Sequence, residues 1–337
     1  MTSRVSSAVP LIMVLAAACG GAVAIRAPEQ PPTSDEMKVL WSDPGAEPRD
    51  LFWGSGGRTY APKPDAVYTF KSRDDLGFSA KYRVVDRDGV EWNAKLGPEA
   101  QTEVVLSRIL WGLGYHEPPA YYLPSWKVER DGRVRVESEA RFRPKVKGLE
   151  EAKEYWWWQQ NPFVGTHELN GLLVVLLMFN STDLKNDNNS IYMLTKDNDL
   201  SRRRPGEGGG KEALEGPDRW FVVRDLGASL GETGAVYPRR NWLEGFEKHG
   251  FITAVSGDRV EFDYQGRHQE LISMIHPADV RWAAEHAARL TDQQWHDAFR
   301  AANYSDSDTE RFLRRIKEKI DDGLALRARP VDEQATH

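Results

Sequence analysis

The sequence predicts an α+β chain, with a small β-rich part carrying one helix toward the N-terminus and a larger, mainly helical part after it, as two lobes or one large domain. Three observations point there. Between Ala66 and Leu96 the apolar residues alternate or are β-branched, with turn residues between the runs, which is how strands read. From Leu271 to Leu326 they recur at helical spacing between capping residues. In the middle stands an almost wholly apolar run, Leu172 to Phe179, followed by a loop rich in Asp and Asn. With 337 residues, 40% of them hydrophobic, the chain can bury a real core, split into two lobes or held in one large domain. A formal charge of -6 and the lack of a basic, aromatic-studded patch argue against nucleic acid as a partner.

The N-terminus reads as a targeting segment over residues 1–24. Arg4 is its basic part and Val9 to Ala18 its apolar part, too short for a permanent span. Cys19, the only cysteine, directly follows Leu15-Ala-Ala-Ala18. That stretch resembles the lipobox of bacterial lipoproteins, with Ala16 at the usual Leu position. The resemblance implies lipidation of Cys19, export and a membrane as partner. Ordinary cleavage, for example after Ala22-Val-Ala24, is the competing reading. Residues 25–60, rich in Pro, Gly and acids, read as a flexible tether. Gly54-Ser-Gly-Gly57 reads as part of that linker rather than as a phosphate cradle, since no clear strand and helix flank it.

The N-lobe is expected over 61–147. Val67 to Phe70 and Lys81 to Val85 are strands, Asp86-Arg-Asp-Gly89 is a hairpin turn, and Val90 to Leu96 is the next strand. Gly97-Pro98 opens a helix that runs to Leu113 and stops at Gly114. Glu99 and Glu103 are four apart and share one helix face. Pro118 to Glu137 is another hairpin around Asp131-Gly132, and Glu137 to Val146 is expected to connect the lobes.

The C-lobe is expected over 148–327. Trp156-Trp-Trp158 reads first as packing at the lobe interface and second as a stacking surface for a sugar or base. Thr166 caps a helix from His167 to Phe179, apolar all round and therefore buried. Ser190 to Leu194 and Trp220 to Val223 are strands on either side of a polar insertion, 196–218, that carries Arg202-Arg-Arg204. Gly231 to Phe251 reads as irregular. Helices follow at Leu271 to Ile275, Pro277 to Leu290, Asp292 to Ala302 and Asp306 to Leu326, the last two capped by Thr291 and Ser305. A loose tail, 328–337, ends the chain.

The chemistry is concentrated in two short stretches. In Asp183-Leu-Lys-Asn-Asp-Asn188, Asp183, Lys185 and Asn188 stand at i, i+2 and i+5. Asp225-Leu-Gly227 closes the later strand. A carboxylate to orient a hydroxyl, a lysine to neutralise phosphate, and an amide oxygen with a second carboxylate to hold magnesium are what phosphoryl transfer needs. A calcium loop of the EF type does not fit, because no Gly or terminal Glu falls in register. A plain Asx-rich turn after a helix is the bland alternative.

The first stretch resembles the protein-kinase catalytic loop, and Asp225-Leu-Gly227 resembles the kinase metal-binding Asp-Phe-Gly element. With Lys95 on a strand and Glu103 on the next helix, the resemblance runs in order over about residues 65–327. It is nearest in tone to atypical, HipA-like kinases and to exported kinase-like proteins of bacteria. It implies a two-lobed protein-kinase-like fold that binds ATP and magnesium. Lys95 would contact the phosphates, held by Glu103 with Glu99 in reserve. Asp183 would orient the acceptor hydroxyl, Lys185 would neutralise the transferring phosphate, and Asn188 and Asp225 would hold the metal. The sequence departs from that family in having Ser181-Thr182 before Asp183, a long interval before Asp225, and only Gly77 in place of a glycine-rich loop. The expected function is an exported phosphotransferase. The alternatives are a nucleotide- or ligand-binding lipoprotein without turnover, and a Trp-rich glycan-binding surface lipoprotein.

Overall fold

The computed structural model describes residues 23–75, 79–195, 217–234 and 239–326. The targeting segment with Cys19, Gly77, nearly all of the 196–218 insertion with its three arginines, and the C-terminal tail lie outside the described residues.

The described chain begins with a short helix, α1 (Ser34–Met37), capped by Thr33, whose hydroxyl accepts from Glu36 while Glu36 reaches back. Then come β1 (Val67–Asp74), β2 (Lys81–Val85), β3 (Glu91–Leu96), α2 (Glu99–Gly112), β4 (Tyr121–Leu123), β5 (Trp126–Arg130), β6 (Arg133–Glu137) and β7 (Ala140–Pro144). The seven strands form one sheet in the order β4-β7-β3-β2-β1-β5-β6. All neighbours are antiparallel except β1 and β5. One face is closed by an aromatic cluster: Tyr68, Trp92, Trp126 and Phe142 are buried, with the Tyr68 and Phe142 rings 5.1 Å apart. Alternation does this, since Trp92 and Ala94 of β3 point one way and Asn93 and Lys95 the other.

The larger lobe starts with β8 (Leu149–Glu151), followed by α3 (His167–Met178), β9 (Asn189–Leu194), β10 (Arg219–Val223), α4 (Leu243–Lys248), β11 (Ile252–Ser256) and β12 (Arg259–Phe262). It ends in α5 (Gln269–Ile272), α6 (Pro277–Ala288), α7 (Asp292–Arg300) and α8 (Asp306–Leu324). Thr166, Thr291 and Ser305 cap α3, α7 and α8 through their hydroxyls. The apolar α3 runs through the middle of the main core with Leu173, Val174 and Leu176 fully buried. At Gly171 a Cβ would stand 2.4 Å from the Trp282 ring, so the absence of a side chain is what lets α6 lie against α3. The α+β, two-lobed arrangement expected from the sequence is the one found.

Three local expectations need correcting. The 25–60 stretch is not a free tether in its described part. Met37, Leu40 and Leu51 are buried in the main core, Trp41 donates from its ring to the Leu113 carbonyl at 2.8 Å, and Arg26 N–H bonds Gln159 at 2.9 Å. Proline content masked a short apolar face on Met37, Leu40 and Trp41. Glu137 to Val146 is not a plain connection either. Ala140–Pro144 is β7, paired with β3 and β4, because Ala140 and Phe142 enter the aromatic core while Arg141 and Arg143 face away from it. Finally, α4 lies within the stretch expected to be irregular, and the β11–β12 hairpin turns at Gly257 with φ +66°.

Of the three adjacent tryptophans, Trp156 and Trp158 are buried in the main core, ring centroids 4.7 Å apart, and Trp157 is at the surface beside Tyr155. Packing is therefore the use made of the first and third rings.

Candidate active site

The site begins with the sheet face opposite the aromatic core. In the register of β3 and β7, Lys95 lies across from Arg141 and Asn93 from Arg143. Period-two alternation thus puts one lysine and two arginines on one face. Gly97, at φ +103°, turns the chain directly after β3, a conformation that suits glycine. The turn lets α2 start above Lys95 and lay its glutamates over the cations.

The outcome is a dense charge cluster. Lys95 Nζ is 3.0 Å from Glu99 Oε2, 3.1 Å from Glu103 Oε2 and 3.1 Å from Asp225 Oδ1. The other oxygen of Glu103 lies 2.9 Å from Arg141 Nε and 3.1 Å from Arg143 Nη2. Glu99 meets Arg240 and accepts from the Ser79 hydroxyl at 3.1 Å. Glu103 is wholly buried and Lys95 nearly so, whereas 36% of the Asp225 side chain is open to solvent.

Glu103, Lys95 and Asp225 keep their charges against burial. For Glu103 burial favours the neutral acid, but Arg141, Lys95 and Arg143 together outweigh it and hold the carboxyl well below its usual range. For Lys95 burial opposes the ammonium, and Glu103, Asp225 and Glu99 overcome that, leaving its pKa above the ordinary lysine value. Burial likewise opposes the Asp225 carboxylate, and Lys95 does most to bring its pKa below the ordinary value.

The second half of the site is the loop after α3. Asn180, at φ +54°, turns the chain out of the helix. Its amide donates to the Gly231 carbonyl at 2.7 Å and accepts from Lys319 Nζ at 2.8 Å. Lys319 is fully buried on α8, also bonds the Met178 carbonyl at 2.9 Å, and stands 4.5 Å over the Phe246 ring. Burial drives its pKa well below that of a free lysine. Beyond Asn180, Lys185 Nζ pairs with Asp183 Oδ1 at 2.8 Å, and Asn188 Nδ2 closes the loop onto the Asp183 carbonyl at 2.7 Å. Leu184 is buried beneath, its carbonyl in contact with His268 Nε2.

The β9–β10 hairpin carries Asn188 to Asp225. Asn189 pairs with Val223, and the Arg224 N–H bonds the Asn188 carbonyl at 3.0 Å. At the other end, Thr182 N–H bonds the Ala228 carbonyl at 3.0 Å. The 182–188 loop and the 224–228 turn are therefore tied at both ends. Asp225 has φ +55°, and Leu226 anchors the turn in the core. Gly227 lies flush against α2: an added Cβ would be 2.5 Å from Glu99 Cβ and 3.0 Å from the Glu99 carbonyl oxygen.

The structure thus brings Lys95, Glu103 and Asp225 into contact and sets Asn188 beside them through the backbone. Asp183 and Lys185 form their own pair on the adjoining loop. Glu99, held in reserve on the sequence, touches Lys95 as closely as Glu103 does. Arg141, Arg143, Arg240 and Lys319 were not anticipated. For the first two a signal existed, the alternation Ala-Arg-Phe-Arg, with the arginines on the face of β7 that looks toward α2.

The donor set suits a magnesium ion completed by phosphate and water. Asp225 uses Oδ1 on Lys95, which leaves Oδ2, and Asn188 uses its N–H₂ on Asp183, which leaves its amide oxygen. Among the described residues no group of three or more His, Cys, Asp or Glu side chains forms a cation cage, and magnesium between phosphates does not require one.

No family model matches the sequence, and no curated protein matches it either. Among solved structures it is similar to the proinflammatory kinase CtkA of Helicobacter pylori, at 12% identity and a TM-score of 0.41, over 77% of this chain and 98% of that one. At that score the likeness adds nothing to what the side chains themselves establish.

Glu103 is the counter-charge shared by Lys95, Arg141 and Arg143. Glu103→Gln should therefore destabilise the fold by about 3–5 kcal/mol in urea unfolding at neutral pH. Its folded pKa is depressed, so this contribution is complete above its ordinary 4.5 and is lost as the pH falls. The gap between wild type and variant should shrink in acid. A loss below about 1 kcal/mol, the range of exposed pairs, would contradict the assignment.

Proposed function

We propose that this protein is an exported, kinase-like phosphotransferase that binds Mg-ATP between its two lobes and passes the terminal phosphoryl group to an acceptor hydroxyl. The observation that supports it most is the simultaneous contact of Lys95 with Glu103 and Asp225. A strand, the helix that follows it and a turn 130 residues further on bring one buried ammonium, one buried carboxylate and one part-open carboxylate together, each carboxylate 3.1 Å from the lysine.

In this reading Lys95 meets the α/β-phosphates and Glu103 keeps its ammonium in place. Asp225 and Asn188 hold magnesium, which neutralises charge on the phosphates. Asp183 accepts a hydrogen bond from the acceptor hydroxyl and orients it, and Lys185 balances charge on the transferring group. Positioning and electrostatics carry nearly all of the rate in such a reaction. The Asp183–Lys185 pair would open toward acceptor and phosphate as they enter.

A second reading keeps the nucleotide but not the turnover. It is favoured by that same pair, since Lys185 occupies Asp183 at 2.8 Å, and by the scarcity of ATP outside the cytoplasm. Glycan binding through the tryptophan run has less support, because Trp156 and Trp158 are spent on the core. For location, the reading is a lipid on Cys19 holding the protein at a membrane.

Mg-ATP should raise the melting temperature of the wild type, and Asp225→Ala should abolish that shift. Asp183→Ala should keep the shift and lose about 100-fold or more of any phosphate transfer to added acceptors. Binding without transfer in the wild type would favour the second reading. No shift with nucleotide or metal would remove both. Radiolabelled fatty acid should enter the wild type and not Cys19→Ser, and an unlabelled wild type would refute the lipid anchor.

A further inference from the structure

We infer that Arg240 is a positioning residue that keeps Lys95 free for a triphosphate by neutralising Glu99, an inference that rests on the nucleotide reading above. The site holds one more carboxylate around Lys95 than a phosphate-binding lysine can spare. Glu103 has two further cations, Arg141 and Arg143, within 3.1 Å. Asp225 is part open to solvent and is available to a metal. Glu99 has one further cation, Arg240, and no such opening. It is 92% screened from solvent, with its side chain only 8% exposed. Gly227 presses against its Cβ and backbone. Its cations are Lys95 and Arg240.

The placement of Arg240 is itself built. The backbone from Asn241 to Trp242 bonds the turn after Asp225-Leu-Gly227, with Asn241 N–H to the Ser229 carbonyl at 2.9 Å and Trp242 N–H to the Leu230 carbonyl at 2.9 Å. Asn241 Nδ2 donates to Gln101 Oε1 of α2 at 3.1 Å, and Tyr304 donates its hydroxyl to Asn241. Arg240 and Asn241 thus span from the Asp225 turn to the first turn of α2, the turn that carries Glu99.

Charge decides what this does. Without Arg240, Glu99 would turn wholly to Lys95, and the wall facing the phosphates would be one unit more negative in a poorly solvated place, where such a change acts strongly. A triphosphate would lose part of its lysine and meet an extra repulsion. Removing the Glu99 charge as well should restore both.

The test measures ATP and adenosine affinities, in magnesium, by calorimetry on the full chain. The variants are Arg240→Gln, Arg240→Lys, Glu99→Gln and the Arg240→Gln/Glu99→Gln double. Arg240→Gln should weaken ATP about tenfold, the size of a coupled buried charge pair, while adenosine, which has no phosphates, should bind as before. Arg240→Lys should keep most of the ATP affinity, and the double variant should recover it. A merely structural arginine would move ATP and adenosine together and would not be rescued by Glu99→Gln, and either outcome overturns the inference. A wild type that binds ATP with an unchanged ATP-to-adenosine ratio in Arg240→Gln overturns this inference alone. A wild type that binds neither ligand overturns the nucleotide reading and this inference with it.

Discussion

Lys95 is almost entirely out of water, and an isolated ammonium in that position would cost several kcal/mol. The molecule therefore has to bring anions to it. They come from two places: Glu99 and Glu103 on the helix that follows its own strand, and Asp225 from the other lobe. Because Glu103 is deeper still, it in turn requires Arg141 and Arg143 from the neighbouring strand. One buried charge thus fixes the position of α2 against the sheet and of the Asp225 turn against α2. Ionic clusters of this kind add little net stability over an apolar core of equal volume, but once present every member is needed. What they do supply is a definite geometry.

The second constraint is backbone pairing rather than charge. The loop that carries Asp183 and Asn188 is held to the turn that carries Asp225 by the pairing of β9 with β10 and by the Thr182–Ala228 bond. Before that loop stands the apolar α3, and Lys319 reaches from α8 to bond the Met178 carbonyl at the end of that helix and the Asn180 amide oxygen. A buried lysine bonded to α3's end ties the last long helix of the chain to the loop that carries Asp183. The wall of the site is therefore rigid where the loop leaves the core, and open to solvent where Asp225 lies.

Much of this was legible in the residue order. Lys95 on a strand, glutamates one turn into the next helix, and two Asp-containing elements further on are local patterns, each with its own turn or cap to mark it. Thr166, Thr291 and Ser305 declared their helices because a cap is read within four residues. What escaped notice depends on partners far off in sequence. Arg141 and Arg143 look like solvated charges until β7 is known to lie beside β3. Arg240 meets Glu99 across 141 positions, and no local signal announces such a meeting. Lys319 sits in the apolar stripe of an otherwise charge-rich helix, where a lysine would ordinarily be placed in water. The stretch around Met37 to Leu51 was hidden by its prolines, since composition speaks for the unfolded chain and not for a few apolar side chains that find a core.

The central claim is that Lys95, Asp225 and Asn188 enclose a place for a triphosphate and its cation. Crystals grown with manganese in place of magnesium and a non-hydrolysable ATP analogue test it most directly, because manganese gives its own anomalous signal. The account predicts a manganese peak bonded to Asp225 and Asn188, with analogue phosphates against Lys95 Nζ. Clear density for these side chains with no manganese or nucleotide among them, or with both bound elsewhere on the molecule, would contradict it.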